Sequence, residues 1–197
     1  MNIDIILNIA KQNQEKALEI INNTNIIPIW ESTGAEINLI GSLKTGLLMT
    51  HRDIDFHIYS DPLKISSSFK AISRLAENPA IVKIEYVNLL QTEENCIEWH
   101  TWYQNTPNEI WQIDMIHMPK KSKYAGHFER VTERINTVIT TEQRNTILCL
   151  KYNTPESENI KGIEYYIAVI TDGIRNYKDF ERWRKSFKPE YGMDWMP

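Results

Sequence analysis

Apolar and polar positions follow two different periods along this chain. In residues 4–23, Ile5, Ile6, Ile9, Ala17, Ile20 and Ile21 recur mostly at intervals of three and four, which draws one apolar stripe on a helix. Asn22-Asn23-Thr24-Asn25 ends the stripe, a short helix or turn follows around Ile29-Trp30, and Thr33-Gly34 stops it. The period then becomes two. Glu36–Ile40 alternates and runs into Gly41-Ser42 as a strand entering a turn, and Leu43 to Thr50 is a small segment bearing Gly and Thr. Arg52–Tyr59 alternates without a break, which predicts a half-buried strand with Asp53, Asp55 and His57 on its polar face.

Ser60-Asp61-Pro62 opens a predicted helix through Leu75, closed by Ala76 to Pro79, and Ile81–Leu90 reads as a strand. Two further strand-like runs, Cys96–Gln104 and Ile110–Met118, flank the hairpin-length turn Asn105–Glu109. Past Pro119, Lys120-Lys121-Ser122-Lys123 reads as a linker, and helical spacing returns. The predicted helices are Tyr124–Ile139, Thr141–Tyr152 with Thr141 as N-cap, Ile163–Thr171 and Lys178–Phe187, punctuated by Gly162 and Gly173. The expected class is α+β: a small mixed β-sheet core flanked by helices in residues 1–119, then a C-terminal helical bundle in 120–197 packed on it.

Composition narrows the partners. At 197 residues and 42% hydrophobic, the chain can bury one ordinary core or two small ones. Its 22 Lys and Arg against 26 Asp and Glu leave a net charge of −4, without the positive field of a general nucleic-acid binder. Nucleic acid is therefore not an expected partner, although a local basic patch stays open. Two distant cysteines, Cys96 and Cys149, imply neither a disulfide framework nor a structural zinc site. Asp4 stands where a signal peptide carries positive charge, and no stretch approaches the roughly 20 apolar residues of a membrane span. A cytoplasmic location without a membrane partner is expected.

The candidate chemistry lies in three features: Gly41-Ser42 at a strand end, Asp53-Ile54-Asp55 on the next strand, and Asp114 inside the apolar run Trp111–Ile116. Asp is depleted in strands. Two carboxylates on one strand face, roughly 5 Å apart, repel by about 3 kcal/mol at an effective dielectric near 20, so one must take up a proton or both must share a cation. Carboxylate and phosphate oxygens are the donors Mg²⁺ prefers, and two such ions roughly 4 Å apart activate an attacking hydroxyl and steady a leaving pyrophosphate. Gly41 lets a phosphate approach the backbone, and the Ser42 hydroxyl donates to its oxygens.

These residues resemble the nucleotidyltransferase superfamily that includes DNA polymerase β, whose signature is a Gly-Ser turn, a spacer of about ten residues, an Asp-x-Asp strand and a distant third Asp. The resemblance covers about residues 30–118, and the helical remainder is similar to the C-terminal bundle of small members. Within it, His51–Phe56, Asp114 and His117 before Pro119 look most like the minimal lincosamide and aminoglycoside nucleotidyltransferases. The resemblance implies that Asp53 and Asp55 bind metal, and that Asp114 binds a second metal or takes the acceptor proton. It also implies that Gly41, Ser42, Lys44 and Arg52 form the nucleotide-binding set. Implied with them are two Mg²⁺ ions, an NTP with ATP as the expected one, a small-molecule hydroxyl acceptor, and a homodimer whose interface can hold the acceptor. Two features depart from the family pattern: the Lys44/Gly46 spacing matches no named subfamily, and Asp114 arrives as Asp-x-x-His-x-Pro, where the lincosamide type has a shorter interval.

Other residues carry paired readings. His51 and Arg52 contact phosphate or balance charge, and His57 is a rim polar group before it is a base. Lys44, the Lys120–Lys123 run and the basic C-terminal helix are solvated faces by default, with Lys151 as a minority candidate for the triphosphate. Trp99, Trp102, Tyr103 and Trp111 pack across paired strands, or stack a flat ligand. Glu164 and Tyr165 are weak candidates for the cleft. Two rival functions remain: transfer to a protein or tRNA, as in a toxin–antitoxin pair, and an inactive relative acting as a binding module.

Overall fold

The computed structural model describes residues 2–155, 157–188 and 194–197. The N-terminal stripe forms α1 (Ile3–Thr24), capped by the Asn2 side chain and ended by Asn25 in the left-handed region at φ +53°. Asn25 redirects the chain into α2 (Ile26–Glu31), which buries Ile26, Ile29 and Trp30. Next come β1 (Glu36–Ile40), a short helix α3 (Gly41–Thr45), β2 (Asp53–Ser60), α4 (Ile65–Leu75) and β3 (Ile81–Asn88). The hairpin is β4 (Ile97–Thr106) with β5 (Glu109–Pro119). The remaining helices are α5 (His127–Val138), α6 (Thr141–Asn153), α7 (Gly162–Tyr166), which continues into a π-helical turn over Ile167–Thr171, and α8 (Tyr177–Arg184).

The class is α+β, with one mixed five-stranded sheet in the order β1-β2-β5-β4-β3. Among the described residues only β2 and β5 run parallel, and that pair sets Asp53 opposite Gln112 and Asp55 opposite Asp114. The odd-numbered polar face of β2 is thereby brought beside the polar face of β5. Ile54, Phe56, Ile113 and Met115 point to the other face and join Trp30, Ala71, Trp99 and Trp111 in the larger apolar cluster. A second cluster gathers Val131, Ile135, Ile147, Leu150, Tyr165 and Phe180, and takes Ile6, Ala10, Leu47 and Met49 from the first half of the chain. Among the described residues, no helix is long and apolar enough to cross a membrane.

Four local expectations are corrected. Gly41-Ser42 does not end β1 in a plain turn but starts the helical turn α3. The helix after β2 starts at Ile65, because Lys64 before it is extended. The N-cap of α6 is Thr140, whose hydroxyl accepts from the Gln143 amide while the Gln143 side chain accepts from the Thr140 amide, a capping box that a Thr-x-x-Gln spacing encodes. The run 163–171 is not one α-helix but changes to π-helical pitch at Ile167.

Candidate active site

A cavity of about 550 Å³ separates the Asp-bearing face of the sheet from α5, α6 and α7. Its floor carries Gly41, Ser42, Asp53, Asp55, His57, His100 and Asp114, and its roof carries Phe128, Thr132, Lys151, Gly162 and Tyr166. Period-2 alternation places Asp53 and Asp55 on one face of β2, and the parallel register adds Asp114 from a strand about sixty residues away.

The carboxylates differ in environment. Burial holds the Asp55 carboxyl well above its ordinary value, the charges of Asp53 and Asp114 push the same way, and Lys151 partly offsets them. Asp53 Oδ1 is buried without a hydrogen-bond partner. Asp114 is engaged: Oδ1 accepts from His100 Nδ1 at 2.7 Å and from Gln112 Nε2 at 2.9 Å. The Asp114 carboxylate thereby fixes a proton on His100 Nδ1.

Gly41 adopts φ +70°, and a side chain there would overlap the Asp55 carboxylate. The glycine thus lets Asp55 close against the strand end. Beside it, buried Ser42 joins two groups from the distant helices: Lys151 Nζ donates to Ser42 Oγ at 2.8 Å, and the Ser42 and Tyr166 hydroxyls are 3.0 Å apart. Lys151 also donates to the Leu47 carbonyl at 3.0 Å. At Gly162 a Cβ would stand 3.2 Å from Tyr166 Oη, tighter than side chains normally pack, and at ordinary contact distance, 3.4 Å, from Ser42 Oγ.

Of the residues singled out in the sequence, the structure brings Gly41, Ser42, Asp53, Asp55 and Asp114 together around the cavity. It does not bring Lys44 or Arg52 there. Lys44 is exposed on α3, and exposed Arg52 reaches Glu109 Oε1 at 3.6 Å and lines a smaller neighbouring cleft. His57 is buried, not on a rim; its Nδ1 lies 3.2 Å from Tyr59 Oη, which donates to Glu129 at 2.7 Å. Burial would raise the Glu129 carboxyl, but hydrogen bonds from His57 and Tyr59 outweigh it and bring it below the usual range. Sequence reasoning missed His100 and Tyr166. His100 sits in an alternating strand like any polar residue, and the role of Tyr166 appears only when α7 packs on Ser42.

Among the described residues, no three His, Cys, Asp or Glu side chains gather as a ready metal site. Asp114 is held back by His100 and Gln112. The donors nonetheless fit magnesium, which takes one or two carboxylates and completes its shell with water and phosphate oxygens. The unpartnered Asp53 Oδ1 and the unfavourably buried Asp55 are the two that fit.

The fold is shared with several solved structures of low sequence identity. One similar solved structure is Cid1, described by its RNA terminal uridylyl transferase activity, at a TM-score of 0.59 and 12% identity over 88% of this chain and 54% of that one. Another is the GLD-2–GLD-3 poly(A) polymerase complex, at 0.56 and 9% identity over 96% of this chain and 66% of that one. A third is the polymerase core of TRAMP, an RNA surveillance complex, at 0.51 and 17% identity over 86% and 59%. The chain spans about half to two-thirds of the length of these structures, and the likeness is one of fold. No protein-family model matches the sequence, and no curated protein matches it.

Proposed function

We propose that this protein is a magnesium-dependent nucleotidyltransferase that moves a nucleoside monophosphate from an NTP to a hydroxyl and releases pyrophosphate. The carrying observation is the convergence of Asp53, Asp55 and Asp114 on one sheet face beneath a cavity whose roof supplies Lys151. Asp53 and Asp55 hold the metal, and Ser42 and Lys151 hold the triphosphate. Lys44 and Arg52, expected at the phosphates, lie outside this cavity, so Lys151 and Tyr166 take their place. Bound magnesium supplies charge neutralisation at the phosphates and a lowered pKa for the attacking hydroxyl. In the reaction the acceptor oxygen gives up its proton to the Asp114 carboxylate and forms a bond to the α-phosphorus. The bond from that phosphorus to the bridging oxygen breaks, and pyrophosphate leaves with the electron pair. Asp114 is oriented for this by His100 and Gln112, and most of the catalysis is positioning and charge neutralisation.

For the acceptor, similarity to proteins described by RNA terminal transfer and poly(A) synthesis favours an RNA 3′-hydroxyl, against the expectation from net charge. The acidic balance of −4 favours the second reading, a small hydroxyl acceptor as in the antibiotic-modifying enzymes. In both readings residues 1–119 carry the metal-binding carboxylates and 120–197 the cover. The test is calorimetric binding of each of the four NTPs with Mg²⁺, ATP first, to wild type and to the Asp53→Asn/Asp55→Asn double variant. Binding by wild type alone supports the donor site; equal binding by both, or none by either, removes it. Pyrophosphate release with an oligoribonucleotide or with small hydroxyl acceptors then separates the two readings.

A further inference from the structure

We infer that the small cleft beside the cavity, walled by Arg52, Trp102 and Gln112, seats the terminal nucleotide of the acceptor strand. The inference rests on the donor-site reading above and assigns its acceptor side.

Strand register carries the argument. β5 pairs Asp114 with Asp55 on one side and His100 on the other, and pairs Gln112 with Asp53 and Trp102. Side chains two residues apart share a face, so two rows cross the sheet side by side: Asp55–Asp114–His100 and Asp53–Gln112–Trp102. The rows lie about 7 Å apart along the strands. Gln112 joins them through its 2.9 Å hydrogen bond to Asp114. The second row opens into a cleft of about 320 Å³ that shares Thr50 and His51 with the large cavity, so the two spaces meet beside the carboxylates.

The walls of the cleft have the chemistry of a nucleotide site. Trp102 offers an apolar plane, and Lys83 Nζ lies 4.0 Å from its ring centroid. Arg52 shares Glu109 with Lys16, and Lys83 pairs with Glu85 at 2.6 Å. An aromatic plane with one cation over its ring and Arg52 at the edge of the cleft suits a nucleobase and its phosphodiester better than a polycationic aminoglycoside. A volume near the lower bound of small-molecule sites has room for one nucleotide. With its base against Trp102, that nucleotide directs its 3′-hydroxyl toward Asp114, one row away.

The test uses the full chain and a 5′-labelled oligoadenylate with a free 3′-hydroxyl, read by fluorescence anisotropy, with calorimetric Mg²⁺-NTP binding in parallel. Trp102→Ala is expected to weaken oligonucleotide binding about tenfold or more, and Trp102→Phe to restore most of it. Arg52→Gln is expected to lower the slope of log affinity against log salt by about 0.7. An unchanged oligonucleotide affinity in both Trp102→Ala and Arg52→Gln, with NTP binding intact in wild type, overturns the acceptor cleft and leaves the donor site standing. Transfer to a small acceptor with no oligonucleotide binding by wild type also overturns it. Absence of NTP binding in wild type overturns the donor-site reading, and this assignment with it.

Discussion

Lys151 on α6 donates to Ser42 Oγ at 2.8 Å across 109 residues of chain, and its charge is the one that partly offsets the burial of Asp55. A single ammonium therefore joins the roof of the cavity to the strand end that carries the candidate phosphate site. Replacing it separates binding from stability. Lys151→Met is expected to raise the dissociation constant for Mg²⁺-NTP at least about tenfold, as expected for loss of a charge-assisted contact. It should cost about 1–3 kcal/mol in urea unfolding, because the buried Leu47 carbonyl and Ser42 lose a donor. Undiminished NTP binding by Lys151→Met would remove the lysine from the donor site.

Asp55 gives a pH signature with a definite sign. Its folded-state value lies above the ordinary 3.8 because of burial first and the neighbouring Asp53 and Asp114 second. The folded chain then holds more protons than the unfolded one between those two values, so the carboxyl destabilises the fold increasingly as pH rises through that window. Asp55→Asn removes the penalty. Without magnesium the variant is expected to be more stable than wild type at pH 7, by roughly 1 kcal/mol or more. The gap should close below pH 3.8. A variant less stable than wild type at neutral pH would contradict this account.

The parts of the fold visible in sequence are those with a local period. β1 appears at Glu36–Ile40 as predicted and β2 is displaced by one residue, because alternation and flanking turns define a strand without reference to its neighbours. The Asp-x-Asp pair was legible for the same reason. Strand order was not, since the parallel pairing that aligns Asp55 with Asp114 is a tertiary contact with no local trace. Lys151 and Tyr166 meet Ser42 only through the packing of α6 and α7, so of the roof the sequence offers Lys151 as a minority candidate and no sign of Tyr166, while the floor is readable. Arg52 was misplaced by proximity: next to Asp53 in sequence, it precedes β2 on the opposite alternation, turns to Glu109 and borders only the smaller cleft.

His117 supplies a stability test away from the carboxylates. It is buried beneath Trp30, with rings 5.1 Å apart and edge-on, and its Nε2 pairs with Ser60 Oγ at 2.7 Å. Burial lowers its value from 6.5 to about 4. A histidine depressed in the fold stays neutral there while the unfolded chain protonates, so its contribution is complete above pH 6.5 and is lost as pH falls toward 4. The loss amounts to about 3 kcal/mol. His117→Gln should flatten the acid limb of the stability curve by that order, read as the difference between urea midpoints of variant and wild type from pH 7 to 4. Parallel curves would exclude the buried neutral histidine.

Gly41 tests whether the close approach of the strand end to Asp55 is a functional requirement. Its φ of +70° costs a residue with a Cβ about 1–2 kcal/mol, and the added methyl would overlap Asp55 Oδ2 itself. The two effects can be told apart. Gly34 also has a positive φ, +83°, but nothing lies within 4 Å of a Cβ built there. Gly34→Ala should therefore pay the backbone cost alone and keep Mg²⁺-NTP binding. Gly41→Ala should carry that cost and also lose binding, because relieving the overlap displaces either the Asp55 carboxylate or the strand end it closes against. Calorimetry on both variants, with urea unfolding as the control for folding, checks this. Equal NTP binding by the two would mean that Asp55 can shift without harm, and that its placement against Gly41 serves packing, not the site.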